Sequence, residues 1–287
     1  MEKMSDCPDM VEVADTSDIQ KLLYYLMKEF HEICEQHDLY YCIFGGTMLG
    51  AVRHQTIIPW DDDIDVCMPR GDYEKFCRIV NEKYIDNFIV KCYPQKDYVY
   101  NFAKFCLKDS VLVERDFLPS VAKLMLYIDV FPVDGYPSEQ TEKKHFDKLR
   151  FYKKARCKSI YRIVPSKTWW KKPYALFTYV KRLPYRMIGY KYFIKKEIEE
   201  NKKYDFDACE YVSMQGAGWN EKGKLPKKVF MDRKLYQFGK LQVWGISDYD
   251  EHLTRLYGDY MTPPPKEKQI SNHSYKLYVN KEYLSYE

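Results

Sequence analysis

Residues 60–68 read Trp-Asp-Asp-Asp-Ile-Asp-Val-Cys-Met, so four carboxylates fall within five positions directly before an apolar run. The alternation over residues 63–68 predicts a strand, in which Asp61, Asp63 and Asp65 share one face at intervals of about 7 Å. Two carboxylates about 5 Å apart repel by about 3 kcal/mol at an effective dielectric of about 20. Because Mg²⁺ and Mn²⁺ prefer carboxylate and phosphate oxygens, the stretch predicts a divalent-metal site.

A further acid lies inside an otherwise apolar run. Residues 126–131 read Leu-Tyr-Ile-Asp-Val-Phe, which predicts a hydrophobic strand interrupted by Asp129. A lone carboxylate there is unfavourable unless it is paired or bound to a metal. If this strand lies beside that of Asp63, Asp129 completes the cluster, where it can bridge a metal and take a proton from an attacking hydroxyl. The alternative is that the aspartate run is a solvated loop that binds nothing, but its place beside a strand favours the metal site.

A Gly-Gly-Thr turn precedes the acids. Residues 40–44 predict a short strand that runs into a tight turn at Gly45 and Gly46, and Thr47 to Arg53 then open a helix. The backbone N–H groups of such a turn can hold a phosphate, although Gly-Gly is most often only a turn. Arg53 and His54 follow and can contact an anionic donor, while a capping or core role is an equal alternative for His54.

The remaining pattern indicates mixed helix and strand in the first half of the chain. Apolar residues at intervals of three and four predict an amphipathic helix over residues 16–37, with Ser17 as its N-cap. Further predicted elements are a helix at 71–84 and strands at 88–93, 102–108 and 124–133. From 138 to 204 the pattern is mostly helical, and Pro165, Pro173 and Pro184 are each expected to end or kink a helix. Strands return near 210–214 and 241–244, and the run at 263–265 is expected to lie extended.

Composition narrows the class of protein. The chain has 287 residues, 46% hydrophobic and 31% charged, which is typical of a globular protein with one large core or two smaller ones. Its longest apolar run is too short to cross a bilayer, and residues 1–18 lack the features of a signal peptide. The nine cysteines are scattered without zinc-type spacing. We therefore expect a cytoplasmic protein in a reducing compartment.

Charge is divided unevenly along the chain. Residues 148–196 contain sixteen Lys or Arg, twelve aromatic residues and no Asp or Glu, which leaves 30 basic against all 42 acidic residues elsewhere. A basic, aromatic-rich helical segment suits contact with an anionic membrane. A solvated face or one that binds a polyanionic glycan is about as plausible, and nucleic acid is less favoured. We therefore divide the chain into a catalytic core (1–140), a basic helical region facing the acceptor or membrane (141–205), and a C-terminal part that packs back on the core (206–287).

Several motifs resemble those of one known family. The order strand, Gly-Gly-Thr turn, helix, Asp-x-Asp strand and later acidic strand is similar to the nucleotidyltransferase superfamily. Within it, five stretches closely resemble the LicD family, which is related to the fukutin-related proteins: residues 44–54 (Phe-Gly-Gly-Thr-Met-Leu-Gly-Ala-Val-Arg-His), 58–65 (Ile-Pro-Trp-Asp-Asp-Asp-Ile-Asp), 70–76 with Arg70 and Asp-Tyr-Glu-Lys-Phe, 128–135 (Ile-Asp-Val-Phe-Pro-Val-Asp-Gly) and 257–264 (Tyr-Gly-Asp-Tyr-Met-Thr-Pro-Pro). The resemblance covers about 22–137 and resumes near 257. It implies an α+β fold with a nucleotidyltransferase-like mixed sheet flanked by helices.

The resemblance also implies an activity. LicD-like enzymes transfer phosphocholine from CDP-choline to a hydroxyl of a cell-surface glycan, of teichoic acid or lipopolysaccharide type, and release CMP. Related members move ribitol phosphate from a CDP donor. By match to the family, Asp63 and Asp65 are the principal ligands of Mg²⁺ or Mn²⁺, with Asp61 and Asp129 assisting. The zinc-binding insertion of the fukutin-related proteins has no counterpart in this sequence.

Three more residues are candidates for binding the donor. Lys104 is placed to stabilise the leaving phosphate, with a surface lysine as the alternative. A quaternary ammonium is held best by aromatic faces, for which Trp60 and Tyr257 are candidates unless they only pack. Two competing hypotheses are transfer of another group, either ribitol or glycerol phosphate or a nucleotide, and a binding protein with a dead site. The four acids of the cluster argue against a dead site. An acceptor that is lipid-linked would place the enzyme peripherally at the inner face of the membrane.

Overall fold

The computed structural model describes residues 9–114, 124–161, 172–214, 220–271 and 275–285. Within these ranges the helices are α1 (Thr16–Gln36), α2 (Gly45–Arg53), α3 (Arg70–Lys83), α4 (Glu139–Ile160), α5 (Lys172–Ile188), α6 (Tyr190–Asn201), α7 (Lys227–Phe230) and α8 (Asp250–Tyr257). The strands are β1 (Met10–Val13), β2 (Cys42–Ile43), β3 (Asp65–Pro69), β4 (Phe88–Lys91), β5 (Ala103–Leu107), β6 (Ser110–Glu114), β7 (Tyr127–Gly135), β8 (Tyr211–Ser213), β9 (Lys224–Pro226), β10 (Arg233–Phe238), β11 (Leu241–Ile246) and β12 (Tyr275–Asn280).

A mixed sheet of nine strands forms the centre of the fold. Its main path runs β10-β11-β2-β3-β7-β5-β4, and β8 and β9 extend from the far end of β7. The ladder between β3 and β7 is parallel, whereas β2 is antiparallel to β3 and β5 is antiparallel to β7. A second sheet is antiparallel, with the order β1-β12-β6. The predicted α+β fold with a mixed sheet core is confirmed.

Helix α1 covers the central strands. Its buried residues recur at intervals of three and four, and the helix packs against β5, β7 and β11. Phe30 lies at the middle of this layer, with its ring 4.9 Å from that of Phe76 and 5.0 Å from that of Tyr41. The predicted helix is confirmed, but Ser17 is not its N-cap. Asp15 takes that position because its carbonyl oxygen already accepts from the N–H groups of Asp18 and Ile19.

The described residues of the basic part of the chain are mostly helical, as predicted. Helices α4 and α6 pack closely together, and α5 lies against both. Pro184 does not end α5, which continues four residues further to Ile188. Pro173 stands in the first turn of that helix, where a missing N–H leaves no hydrogen bond unmade. Pro165 lies outside the described residues. In the described part of the chain, no helix is both long enough and apolar enough to cross a membrane.

The last third of the chain returns to the core. Strand β11 pairs with β2 in the main sheet, and β12 pairs with both β1 and β6. Strands β1, β6, β9, β10 and β12 and helix α8 were not predicted from the sequence. The residues of β10 alternate only weakly between polar and apolar, so its pairing with β11 rather than its own pattern defines it. The division of the chain at residues 140 and 205 stays a prediction.

Candidate active site

The acidic stretch lies in the loop that joins α2 to β3. The loop turns at Ile58, whose carbonyl oxygen accepts from the N–H of Asp61 at 2.8 Å. Gln20 of α1 reaches this turn, and its side-chain amide donates to the carbonyl oxygen of Asp61 at 2.7 Å and to that of Ile58 at 3.1 Å. The core helix therefore fixes the path of the chain into the acids.

The acids alternate in burial along the loop. Asp61, Asp63 and Asp65 are partly exposed, whereas Asp62 and Ile64 between them are buried. Strand β3 nevertheless begins only at Asp65, so the prediction that Asp63 lies within the strand was wrong. The reason is that neither neighbouring strand pairs with residues before Asp65: the ladder to β7 begins at Asp65, and β2 lies opposite only Val66 and Cys67. Asp61 and Asp63 thus keep an alternating orientation but lie in the loop rather than in a ladder.

The structure places Asp129 directly beside Asp65. The two residues lie opposite each other in the parallel β3–β7 ladder, and the N–H of Asp129 donates to the carbonyl oxygen of Ile64 at 2.9 Å. Neighbouring residues of adjacent strands project to the same face of a sheet. The acid on the hydrophobic strand and the acidic loop therefore meet at one end of this ladder.

Burial and mutual repulsion weaken the acidity of this cluster. Burial, followed by the charges of Asp63, Asp129 and Asp61, raises the pKa of Asp65 well above its usual value, and Lys104 only partly opposes this. Burial and the charge and hydrogen bond of Asp63 raise the pKa of Asp61 to about 7. The charged forms of these carboxyls are therefore unfavourable without a further cation.

Lys104 is the ammonium that contacts this cluster. It lies opposite Asp129 on β5, is only 2% exposed, and its Nζ is 2.6 Å from Asp129 Oδ1. The same Nζ is 3.2 Å from the ring centroid of Tyr127, and the rings of Tyr100 and Phe102 lie at 4.8 and 5.4 Å. Lys104 is therefore a buried partner of Asp129, and the alternative of a surface lysine is excluded.

The first turn of α2 adjoins the acids. Gly45 has a φ of +54°, a backbone conformation that favours glycine. A Cβ atom on Gly46 would lie 3.4 Å from Asp61 Oδ2, so this turn borders the Asp61 carboxylate. The hydroxyl of Thr47 accepts from the N–H of Asp65 at 2.8 Å and thereby ties the helix to the start of β3.

Arg53 and His54 lie at the other end of α2, about 12 Å along the helix axis from Gly45. Arg53 donates to the carbonyl oxygen of Tyr260 at 2.6 Å, and its Nε is 3.4 Å from His54 Nδ1. The ring of His54 meets that of Trp60 edge-on at 5.9 Å. These contacts connect α2 to the acidic loop and to the C-terminal part, and they do not bring either residue against the carboxylates.

Two tyrosines from the C-terminal part face the acids. Tyr257 of α8 is 43% exposed as a residue, and burial at its hydroxyl together with the charges of Asp65, Asp61 and Asp63 raises its pKa. Tyr275 of β12 donates to the carbonyl oxygen of Asp62 at 3.4 Å. Tyr257 was a predicted site residue, but Tyr275 and Gln20 were missed. One tyrosine among 28 carries no signal of its own in the sequence.

The donor set suits a hard cation. The side chains offer carboxylate oxygen, the ligand that Mg²⁺ and Mn²⁺ prefer, and burial together with mutual repulsion makes their charged forms unfavourable without a cation. In the described residues, however, no three Asp, Glu, His or Cys side chains already enclose a single point. The residues fit a divalent ion chemically, and coordination would require some of their side chains to turn.

Comparison with known proteins agrees with this geometry. The family model described as LicD/FKTN/FKRP, nucleotidyltransferase domain, matches residues 38–168. The chain is 29% identical over 271 residues to the lipopolysaccharide cholinephosphotransferase LicD of Haemophilus influenzae. The aligned region covers 88% of this chain and 94% of that protein. It is also 32% identical over 115 residues to an uncharacterised protein of Rickettsia prowazekii, at 40% of each chain. The resemblance seen in the motifs is thereby confirmed: residues 38–168 match the nucleotidyltransferase domain of the LicD family, and the chain is similar to the Haemophilus LicD protein over most of its length.

Proposed function

We propose that this protein transfers phosphocholine from CDP-choline to a hydroxyl of a cell-surface glycan of lipopolysaccharide or teichoic acid type, and releases CMP. The observation that carries the proposal is the position of Asp65 beside Asp129 in the β3–β7 ladder, next to Asp61 and Asp63. The similarity to the Haemophilus cholinephosphotransferase over 88% of the chain supports the choice of group and acceptor.

The reaction is proposed to depend on Mg²⁺ or Mn²⁺. Asp63 and Asp65 would hold the ion, and Asp61 and Asp129 would assist. When bound, the ion supplies positive charge that neutralises the donor diphosphate and the acids. The excess of carboxylate at this end of the ladder supports the dependence, because Lys104 contacts Asp129 and only partly offsets the repulsion at Asp65.

Groups of the chain itself accept the proton, orient the base and bind the phosphate. Asp129 accepts the proton of the acceptor hydroxyl, whose oxygen then bonds to the phosphorus of the choline phosphate as the bond to the CMP oxygen breaks. The Lys104 ammonium at 2.6 Å stabilises the carboxylate form of Asp129 and fixes its orientation. Backbone N–H groups of Gly45 and Gly46 are positioned at the start of α2 to bind a phosphate oxygen.

The trimethylammonium group of choline needs aromatic faces and nearby negative charge. Trp60 directly precedes the acids, and Tyr257 faces them from α8. We assign the choline end of the donor to these two rings. Ribitol and glycerol phosphate lack a cationic group, so they would gain less from this arrangement.

A donor screen tests the proposal. The purified chain is incubated with Mg²⁺ or Mn²⁺, a lipopolysaccharide or teichoic acid acceptor, and CDP-choline, CDP-ribitol or CDP-glycerol, and the products are identified by mass spectrometry. We expect CMP and a phosphocholine-bearing glycan from CDP-choline. A nucleotide left on the acceptor would instead indicate nucleotidyl transfer, and absence of turnover with all donors would indicate a binding protein.

Two variants make the screen specific for the site. Asp129→Asn should abolish product formation, whereas Asp86→Asn removes an exposed acid outside the acidic cluster and should not.

The predicted cytoplasmic location belongs to the same proposal, since CDP-choline must reach the site, and cell fractionation tests it.

A further inference from the structure

Helix α5 carries an apolar stripe that faces away from the protein. Leu176, Val180, Leu183 and Met187 follow one another at intervals of four, three and four residues and therefore lie on one side of the helix. Their exposed fractions are 66%, 57%, 41% and 79%. Phe177 and Ile188 widen the stripe and are also exposed.

The opposite side of α5 faces its neighbours and is polar. Arg182 and Arg186 both donate to the carbonyl oxygen of Tyr161, which directly follows α4, at 3.3 and 3.2 Å. The hydroxyl of Tyr185 accepts from Lys158 Nζ of α4 at 3.4 Å. Residues 182, 185 and 186 share one side by the same helical spacing. The helix is thus attached to the protein through its polar side.

This orientation is the reverse of the usual one. A surface helix of a globular protein normally buries its apolar side and exposes its charges. Among the described side chains of α5, residues 176–188, none is fully buried. Packing within the described chain therefore does not account for the apolar stripe, and an exposed apolar surface of this kind indicates an external binding surface.

The surrounding charge identifies the partner. The segment 148–196 carries sixteen basic residues and no acid, and Lys181, Lys191 and Lys195 are exposed around α5 and the start of α6. Exposed Tyr179 and Tyr192 lie in the same region, as aromatic residues do at membrane interfaces. A polyanionic glycan would be bound by the cations but not by the stripe, and a second copy would bring like charges together.

We propose that α5 lies flat on an anionic membrane surface, with its apolar stripe inserted among the lipid chains and the surrounding lysines on the head groups. The turn at Gly189, with a φ of +85°, separates α5 from α6, where Lys191 and Lys195 are exposed. The inference concerns attachment rather than chemistry, so it goes beyond the proposed reaction and does not depend on it.

Vesicle sedimentation with the full chain tests this surface. One set of vesicles is phosphatidylcholine alone, and the other contains phosphatidylglycerol. We expect binding to the anionic set at least about tenfold tighter, falling with added salt. In the double variant Val180→Glu/Met187→Glu, binding should weaken by about tenfold or more.

Ile270→Glu is the matched control, because Ile270 is 64% exposed but lies outside the basic segment. It should bind vesicles as the unmodified chain does. Circular dichroism checks that both variants are folded, and CMP release with a water-soluble acceptor should be unchanged in both. Equal binding to the two vesicle sets, or no loss in the double variant, overturns the proposal. So does a dimer in analytical ultracentrifugation that the double variant dissociates, because the stripe would then bind a second copy.

Discussion

The two ends of the β3–β7 ladder hold the same kind of side chain in opposite surroundings. At one end, Asp65 and Asp129 lie side by side near further acids, with Lys104 as the neighbouring ammonium. At the other end, Arg70 donates from Nε and Nη2 to the two carboxylate oxygens of Asp134 at 2.8 and 2.6 Å. Both members of that pair are nearly buried.

The difference shows what each end is for. The Arg70–Asp134 pair is balanced in charge and geometrically complete, so it holds α3 against β7 and has little capacity for a ligand. The acidic end has an excess of carboxylate, which is unfavourable for the fold alone and favourable for a cation shared with phosphate. Four tests should distinguish the structural end of the ladder, at Arg70 and Asp134, from the functional end, at Asp65 and Asp129.

The largest effect is expected from Arg70→Met at the balanced end. It leaves Asp134 buried without its ammonium partner, which should lower the free energy of unfolding by about 3–5 kcal/mol. Urea unfolding at neutral pH measures this. Arg70→Met/Asp134→Leu should recover most of the loss because neither charge remains buried. A double variant as unstable as the single one would show that the pair is not the cause.

Asp65→Asn at the acidic end should lower activity without lowering stability, in contrast to the loss of stability expected for Arg70→Met. We expect turnover of CDP-choline to fall by roughly 10²–10³-fold. The urea midpoint should stay unchanged or rise, because asparagine carries no charge to be buried or to repel the neighbouring acids, the two effects that raise the pKa of Asp65. Asp86→Asn is the control for activity. A large loss of stability in Asp65→Asn would place this residue with the structural acids instead.

The pH dependence of stability should reveal the same excess of charge. Burial and the charge of Asp63 raise the pKa of Asp61 to about 7, above the unfolded value of about 4. A carboxyl with a raised folded pKa stabilises the fold at low pH, and this contribution is lost as the pH rises from about 4 through 7. In EDTA, the melting temperature should therefore fall between about pH 5 and pH 8.

Millimolar Mg²⁺ should restore about 1–3 kcal/mol at about pH 8 and much less at pH 5, where the acids hold protons. Thermal unfolding in each buffer, with and without Mg²⁺, gives the comparison. Asp65→Asn should weaken the response to Mg²⁺, and Asp86→Asn should leave it intact. An equal response at both pH values would count against binding by these carboxylates.

The smallest effect is expected from removing the side-chain hydrogen bonds that hold the acidic loop to α1. Gln20→Ala removes the amide that donates to the carbonyl oxygens of Asp61 and Ile58, and should lower the free energy of unfolding by about 1 kcal/mol. Gln140→Ala, at an exposed position in α4, is the control. The KM for CDP-choline should rise in Gln20→Ala. An unchanged KM would mean that the loop keeps its path without this contact.

The parts of the site that the sequence predicted are the parts with local patterns. The spacing of apolar residues located α1, and the single acid in an apolar run indicated that Asp129 would lie in a strand. The start of β3 was missed because it depends on pairing with β7, a strand more than 60 positions away, whose ladder begins at Asp65. Contacts across the chain were also invisible: Tyr275 meets Asp62 from 213 positions away, and nothing in either local sequence encodes the pairing.

Strand β12 has a consequence for how the protein is made. It inserts between β1 and β6, and its first residue, Tyr275, donates to the backbone beside the acids. A ribosome synthesises residues 10–13 long before residues 275–280, so β1 stays without the β12 partner until residues 14–274 have been made. The small sheet can close only after synthesis of the other elements, and a nascent chain that stalls before residue 275 would lack this brace on the acidic loop.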